Sequence, residues 1–134
     1  LVASLDSYLK TTDGDEHQFY NQYNGIDSLN HVIVAYKDGT PIGCGAFKEY
    51  ESGTAEIKRM FTTPDSRSLG IASKILAALE NWCRELSYNK CILETGKRQF
   101  EAVNFYQKNN YSLTPNFGQY KEASNSLCFE KLLD

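Results

Sequence analysis

The chain has 134 residues, 41% hydrophobic and 23% charged, with 14 Lys and Arg against 17 Asp and Glu, a formal net charge of −3. Those figures fit one soluble globular domain over residues 1–134 and leave no room for a separate substrate domain. The acidic surplus excludes nucleic acid as a main partner, and no run of ~18 apolar residues exists to cross a membrane.

No secretory-leader pattern opens the chain, which begins Leu1-Val2-Ala3. Leu1, Val2, Leu5 and Leu9 fit a helical face, although Leu1, Ala3 and Leu5 also alternate as a strand would. Helix is the preferred reading. Asp13-Gly14-Asp15-Glu16 reads as a turn and an acidic helix start, and a second short helix is expected to reach about Tyr23, before Asn24-Gly25. His31–Lys37 is rich in β-formers, Asp38-Gly39 is a hairpin turn, and Pro41–Tyr50 is the return strand. Gly43 and Gly45 in that strand mark a close approach or a bend. After a turn at Glu51-Ser52-Gly53, Thr54–Thr62 is the third strand, ended by Pro64-Asp65-Ser66.

From Gly70 the period changes to that of a helix, with Ile71, Ile75, Leu76, Leu79, Trp82, Cys83 and Leu86 on one face. Cys91-Ile92-Leu93 reads as a short buried strand, Phe100–Lys108 as a helix, and Tyr111–Leu113 and Ser126–Leu132 as the last strands. This order predicts a mixed α/β (α+β) layered fold rather than a doubly wound one. Cys44, Cys83, Cys91 and Cys128 each lie in an apolar-periodic segment, with no C-x-x-C pair and no His at metal-ligand spacing. They read as structural thiols in a reducing, cytoplasmic compartment, and no metal site is expected.

The stretch Ile57–Ala72 carries the clearest chemistry. A strand runs into Arg67-Ser68-Leu69-Gly70-Ile71-Ala72, and the long helix begins there. Unpaired N–H groups and a partial positive charge make a helix start an anion site. Gly70 and Ala72 remove bulk beside the backbone, and Arg67 adds a phosphate-matching cation. An incidental strand–helix connection stays open on this spacing alone. The second informative stretch holds Leu93-Glu94-Thr95, then Gln99, Ala102, Phe105-Tyr106, Lys108 and Tyr111.

Together the two stretches resemble the GNAT superfamily of acetyl-CoA-dependent N-acetyltransferases over about residues 31–132. The first is similar to its Arg/Gln-x-x-Gly-x-Gly/Ala pyrophosphate motif, the second to its Asn-x-x-Ala-x-x-x-Tyr-x-Lys-x-Gly-Phe helix. The resemblance implies a mostly antiparallel sheet splayed into a V-shaped cleft, with about four flanking helices and a bulge in the strand Thr54–Thr62. It implies acetyl-CoA as donor, with its pantetheine against Met60, Phe61 and Thr62 and its pyrophosphate on Arg67, Ser68, Leu69, Gly70, Ile71 and Ala72. Gln99 takes the place of the family's CoA-contacting Asn. A backbone N–H near the bulge is implied as the polariser of the thioester carbonyl.

Tyr106 matches the family's general acid, with a core tyrosine as the plainer reading. Glu56 matches a position where some members hold a carboxylate base, with a paired strand carboxylate as the alternative. Glu94, Thr95, Asn116, Gln119 and Tyr120 are candidates for the acceptor side. Three departures stand out: Ser68 follows the motif Arg where Gly is usual, Asn110 replaces the Gly before the final aromatic, and the family's first strand has no clear counterpart. Asn110 keeps the turn because Asn tolerates the left-handed region best after Gly.

The resulting expectation is an N-acetyltransferase acting by direct attack of a primary amine, on a small molecule or a peptide, with a homodimer compatible. A non-catalytic acyl-CoA binding or sensing domain and an unrelated phosphate-binding α/β module are the alternatives.

Overall fold

The computed structural model describes residues 31–134, apart from the side chains of Arg67, Ser68 and Leu69. The helices expected before Asn24 lie outside the described residues. The described elements are β1 (His31–Lys37), β2 (Thr40–Glu51), β3 (Thr54–Thr62), a 3-10 helix (Pro64–Leu69), α1 (Ile71–Glu85), β4 (Lys90–Gly96), α2 (Phe100–Lys108), β5 (Ser112–Thr114), a 3-10 turn (Gly118–Tyr120) and β6 (Ser126–Leu132). The strands form one six-stranded sheet in the order β1-β2-β3-β4-β6-β5. β3 and β4 are parallel, while β1/β2, β4/β6 and β5/β6 are antiparallel. The expected mixed, mostly antiparallel α+β fold is the one observed. Among the described residues no helix is long and apolar enough to cross a membrane.

The described residues divide into two compact units, the first comprising residues 31–48 with Ile57–Asn81, the second Glu49–Glu56 with Trp82–Asp134. In the first unit, Asp38 (φ 51°) and Gly39 (φ 81°) both take positive φ, the requirement of the tight hairpin turn that joins β1 to β2. His31 stacks on its cross-strand partner Phe47 with ring centroids 4.6 Å apart. The glycines of β2 are where α1 comes down on the strand. A Cβ on Gly45 would lie 2.8 Å from Ile75 Cγ2 and 2.9 Å from Leu79 Cδ1, and one on Gly43 would lie 2.9 Å from Ile75 Cδ1. Ile75, Leu76, Leu79 and Cys83 of the predicted α1 face are buried, whereas Leu86 lies beyond the helix end and is exposed.

Within β3, where the resemblance implies a bulge, one residue departs from extended backbone. Arg59 sits at φ 63°, a left-handed conformation that a non-glycine residue holds at a cost of about 1–3 kcal/mol. The buried Cys44 thiol donates to the Arg59 carbonyl at 3.5 Å, tying β2 to β3 at that residue.

In the second unit, Thr54, Ala55 and Glu56 of β3 pair with Lys90, Cys91 and Ile92 of β4. The paired register ends there, although β3 runs on to Thr62 and β4 to Gly96. β4 is longer than its apolar run suggests, because antiparallel pairing with β6 carries it through Glu94, Thr95 and Gly96. The end of α2 is set by backbone bonds. The Asn110 N–H donates to the Gln107 carbonyl at 3.1 Å, and the Tyr111 N–H to the Tyr106 carbonyl at 3.0 Å. With Asn110 at φ 74°, this is a Schellman cap, whose usual apolar contact joins the residue after the turn to the last helical turn. Here that contact is Tyr111 edge-on to Tyr106, centroids 5.9 Å apart. The departure from Gly at position 110 is therefore tolerated in the way expected.

Candidate active site

The anion end of the site is made by backbone. The Thr63 N–H donates to the Ile42 carbonyl at 2.9 Å and the Thr63 hydroxyl to Ser66 Oγ at 3.0 Å, which anchors the chain as it leaves β3. The 3-10 helix Pro64–Leu69 then reaches Gly70, whose φ of 72° turns the chain into α1. Sequence reading took Pro64-Asp65-Ser66 as a plain strand end and missed this helix. Ser68 lies within it, so the position needs no glycine.

The first intrahelical bond of α1 is Lys74 N–H to the Gly70 carbonyl, at 3.2 Å. The first-turn N–H groups of a helix have no partner within the helix itself. No acidic residue occupies that first turn. A Cβ on Gly70 would meet nothing within 4 Å. Open backbone, an N-terminal dipole and no competing carboxylate suit a pyrophosphate. Of the residues expected against pantetheine, Met60 and Phe61 are half-buried and Thr62 is buried. Gln99 is exposed at the N-cap of α2.

Strand alternation sorts the remaining candidates onto two faces of the sheet in the second unit. Glu56 lies opposite Ile92, and Glu94 lies opposite Cys128. Successive residues of a strand point to opposite faces, so Glu56, Ile92, Glu94, Cys128 and Ser126 share one face. Thr95, opposite Leu127, points to the other face from Glu94. Glu56 is buried, Glu94 is half-buried, and the Ser126 hydroxyl donates to Glu94 Oε2 at 2.7 Å. Tyr120 joins this face. Burial pushes its phenol up, a hydrogen bond from Gln119 opposes that, and the charges of Glu56 and Glu94 add to the rise. The Cys128 thiol is also pushed up, mainly by burial, with both carboxylates contributing and the Phe117 backbone opposing.

Asn116 is committed to the chain itself. Its Nδ2 donates to the carbonyls of Tyr120 (3.1 Å), Ala123 (3.3 Å) and Ser126 (3.1 Å), stapling the loop between β5 and β6. Sequence reading missed the role of Ser126, because a Ser at a strand start carries no signal of the carboxylate it meets.

Tyr106 belongs to the opposite face. Its ring packs against Phe105, Tyr111 and Phe129, with centroids at 5.1, 5.9 and 6.3 Å. Phe129 neighbours Cys128 in β6 and so points away from Glu94. Burial pushes the Tyr106 phenol up to about 12, and the side chain keeps 8% of its surface exposed.

Residues 3–111 match the family described as "Acetyltransferase (GNAT) family". The IAA acetyltransferase of Azospirillum brasilense is 35% identical over 135 residues, which cover 99% of this chain and 88% of that protein. The uncharacterized N-acetyltransferase YsnE of Bacillus subtilis (strain 168) is 32% identical over 93 residues, 68% of this chain and 62% of that protein. A Klebsiella pneumoniae structure, provisionally described as an acyl-CoA N-acyltransferase, matches with a TM-score of 0.80 at 28% identity, over 98% of this chain and 91% of that one. A GNAT family acetyltransferase of Elizabethkingia anophelis with acetyl-CoA bound matches with a TM-score of 0.73 at 19% identity, over 87% of this chain and 82% of that one. With most of its length matched in sequence, and the fold in agreement, the chain belongs to the GNAT family of acetyltransferases: it is an N-acetyltransferase that takes its acetyl group from acetyl-CoA and passes it to an amine.

Proposed function

We propose that acetyl transfer proceeds by direct attack of a primary amine, with Glu56 as base on one face of the sheet and Tyr106 serving the departing sulfur on the other. The observation that carries this reading is the alternation of β4 and β6, which puts Glu56 and Glu94 on one face and Tyr106 against the other. The amine adds roughly perpendicular to the plane of the thioester while the sulfur leaves from within that plane, so the two are served from different directions. Glu56, directly or through a water, accepts the amine proton. Glu94, held by Ser126, and Tyr120 border the same approach. The N–H groups from Arg67 to Ala72 hold the pyrophosphate, the β3 backbone at Met60, Phe61 and Thr62 aligns the pantetheine, and Gln99 contacts the cosubstrate from the start of α2.

The pKa of Tyr106 decides what it can do. An ordinary thiol titrates near ~8.5, and one pKa unit is worth about 1.4 kcal/mol. A phenol pushed up to about 12 would lose several kcal/mol in handing its proton fully to a thiolate. Tyr106 therefore acts as a neutral hydrogen-bond donor that stabilises the thiolate as it departs. Cys44, Cys83, Cys91 and Cys128 are buried and form no disulfide among the described residues, which supports a reducing, cytoplasmic setting and a single GNAT-type domain whose thiols serve packing.

Thiol release from acetyl-CoA with a panel of primary amines tests the transfer reading. Tyr106→Phe and Glu56→Gln are each expected to lower kcat more than tenfold while leaving the KM for acetyl-CoA within about twofold. Unchanged kcat in both variants would sink the assignment. CoA binding without thiol release for any amine favours the sensing domain instead.

A further inference from the structure

Beside the acidic face lies a cavity that the transfer chemistry above does not use. It has a volume of about 340 Å³ and is lined by Lys97, Asn116, Lys121, Glu122 and Ser126 among others. Three features make it a built recess rather than a gap beside a loose loop. Asn116 fastens the loop to three of its own carbonyls. The Lys97 backbone N–H donates to the Asn125 carbonyl at 2.8 Å, closing the β4–α2 connection onto the same loop. Ser126 lines the cavity and donates its hydroxyl to Glu94, so the recess adjoins the carboxylate face directly.

The charge of the recess is opposite to that of its neighbour. Lys97 and Lys121 both line it, and neither is engaged in an ion pair or side-chain hydrogen bond among the described residues. Glu122 also lines it and is not paired with either lysine. The acidic face and the basic recess are thus joined through one serine.

We propose that the acceptor is an amino-carboxylate: its amine meets Glu56 and Glu94, and its carboxylate lies in the recess against Lys97 and Lys121. This inference rests on the transfer reading, from which it takes the position of the amine. The lysines are exposed, so each contributes modestly to binding, and the pair acts as a specificity device rather than an anchor.

The test compares matched acceptors that differ only in the carboxylate, such as L-phenylalanine against 2-phenylethylamine and L-methionine against 3-(methylthio)propylamine. Wild-type kcat/KM is expected to favour the carboxylated member of at least one pair by tenfold or more. The double variant Lys97→Gln/Lys121→Gln is expected to raise KM for that acceptor about tenfold, with its kcat, the uncharged amine and the KM for acetyl-CoA unchanged. Equal use of both members in every pair overturns the proposal. So does a double variant whose defect falls on acetyl-CoA, which would place a cosubstrate phosphate in the recess. Calorimetric titration of the same pairs into the CoA-bound protein reads the recess without turnover. A lysine-dependent preference for the carboxylate persists there even if transfer itself fails, and its absence overturns the proposal independently of the transfer reading.

Discussion

Asn110 shows how one backbone conformation reaches a buried aromatic ring. Its φ of 74° closes the Schellman cap and sets Tyr111 against Tyr106, the ring proposed above to face the leaving thiol. Asn was legible in the sequence as a left-handed residue, but its consequence for Tyr106 was not, because that consequence runs through a ring contact. Asn110→Gly keeps the conformation without strain, and urea unfolding should place it within about 1 kcal/mol of wild type. Asn110→Val forbids it. That variant should lose about 1–2 kcal/mol of stability and several-fold in kcat, as the cap and the ring contact fail together. The Glu94–Thr95 pair gives the converse lesson. Adjacent in sequence, they look equivalent to a reader of motifs, and only the register with Cys128 and Leu127 separates them onto two faces.

Among the elements, β2 and α1 depend on each other through Gly43 and Gly45. A methyl group at Gly45 would sit 2.7 Å from Met60 Sδ as well as against Ile75 and Leu79. Relief requires all three side chains to move, and overpacking of this kind costs about 1–3 kcal/mol. Gly45→Ala should therefore lower the urea midpoint without changing the denaturant slope, the sign of lost stability rather than a changed unfolded state. Periodicity made α1 and α2 readable to within a residue or two, since their apolar faces are local patterns. The 3-10 helix Pro64–Leu69 has no such pattern and was read as a strand end. The extent of β4 was likewise hidden, because Glu94, Thr95 and Gly96 are strand only by virtue of their partners in β6.

Across the whole molecule, buried protons that resist release set the alkaline limit of stability. Burial raises the Tyr106 phenol from 10.0 to about 12 and the Cys44 thiol from 9.0 to about 12. Between those values the folded state holds protons that the unfolded state has lost. The stability is thus fully present below the unfolded values and declines as pH rises towards 12. Tyr106 alone accounts for a loss of about 3 kcal/mol over two units. Denaturant unfolding from pH 9 to 12 should show wild type losing stability faster than Tyr106→Phe, and parallel curves would refute the assignment.

The sequence by itself determined the family, the order of the elements, and the helix start and the residues Tyr106 and Glu56 as candidates. All of these are written in local spacing: a period, a turn residue, a motif at fixed offsets. The tertiary structure alone decided which side of the sheet each group serves, that Asn116 staples the loop, that Ser126 holds Glu94, and that two lysines edge a recess beside it. Those facts depend on pairing between residues dozens of positions apart. A one-residue change of register would invert a strand's faces while leaving every motif intact.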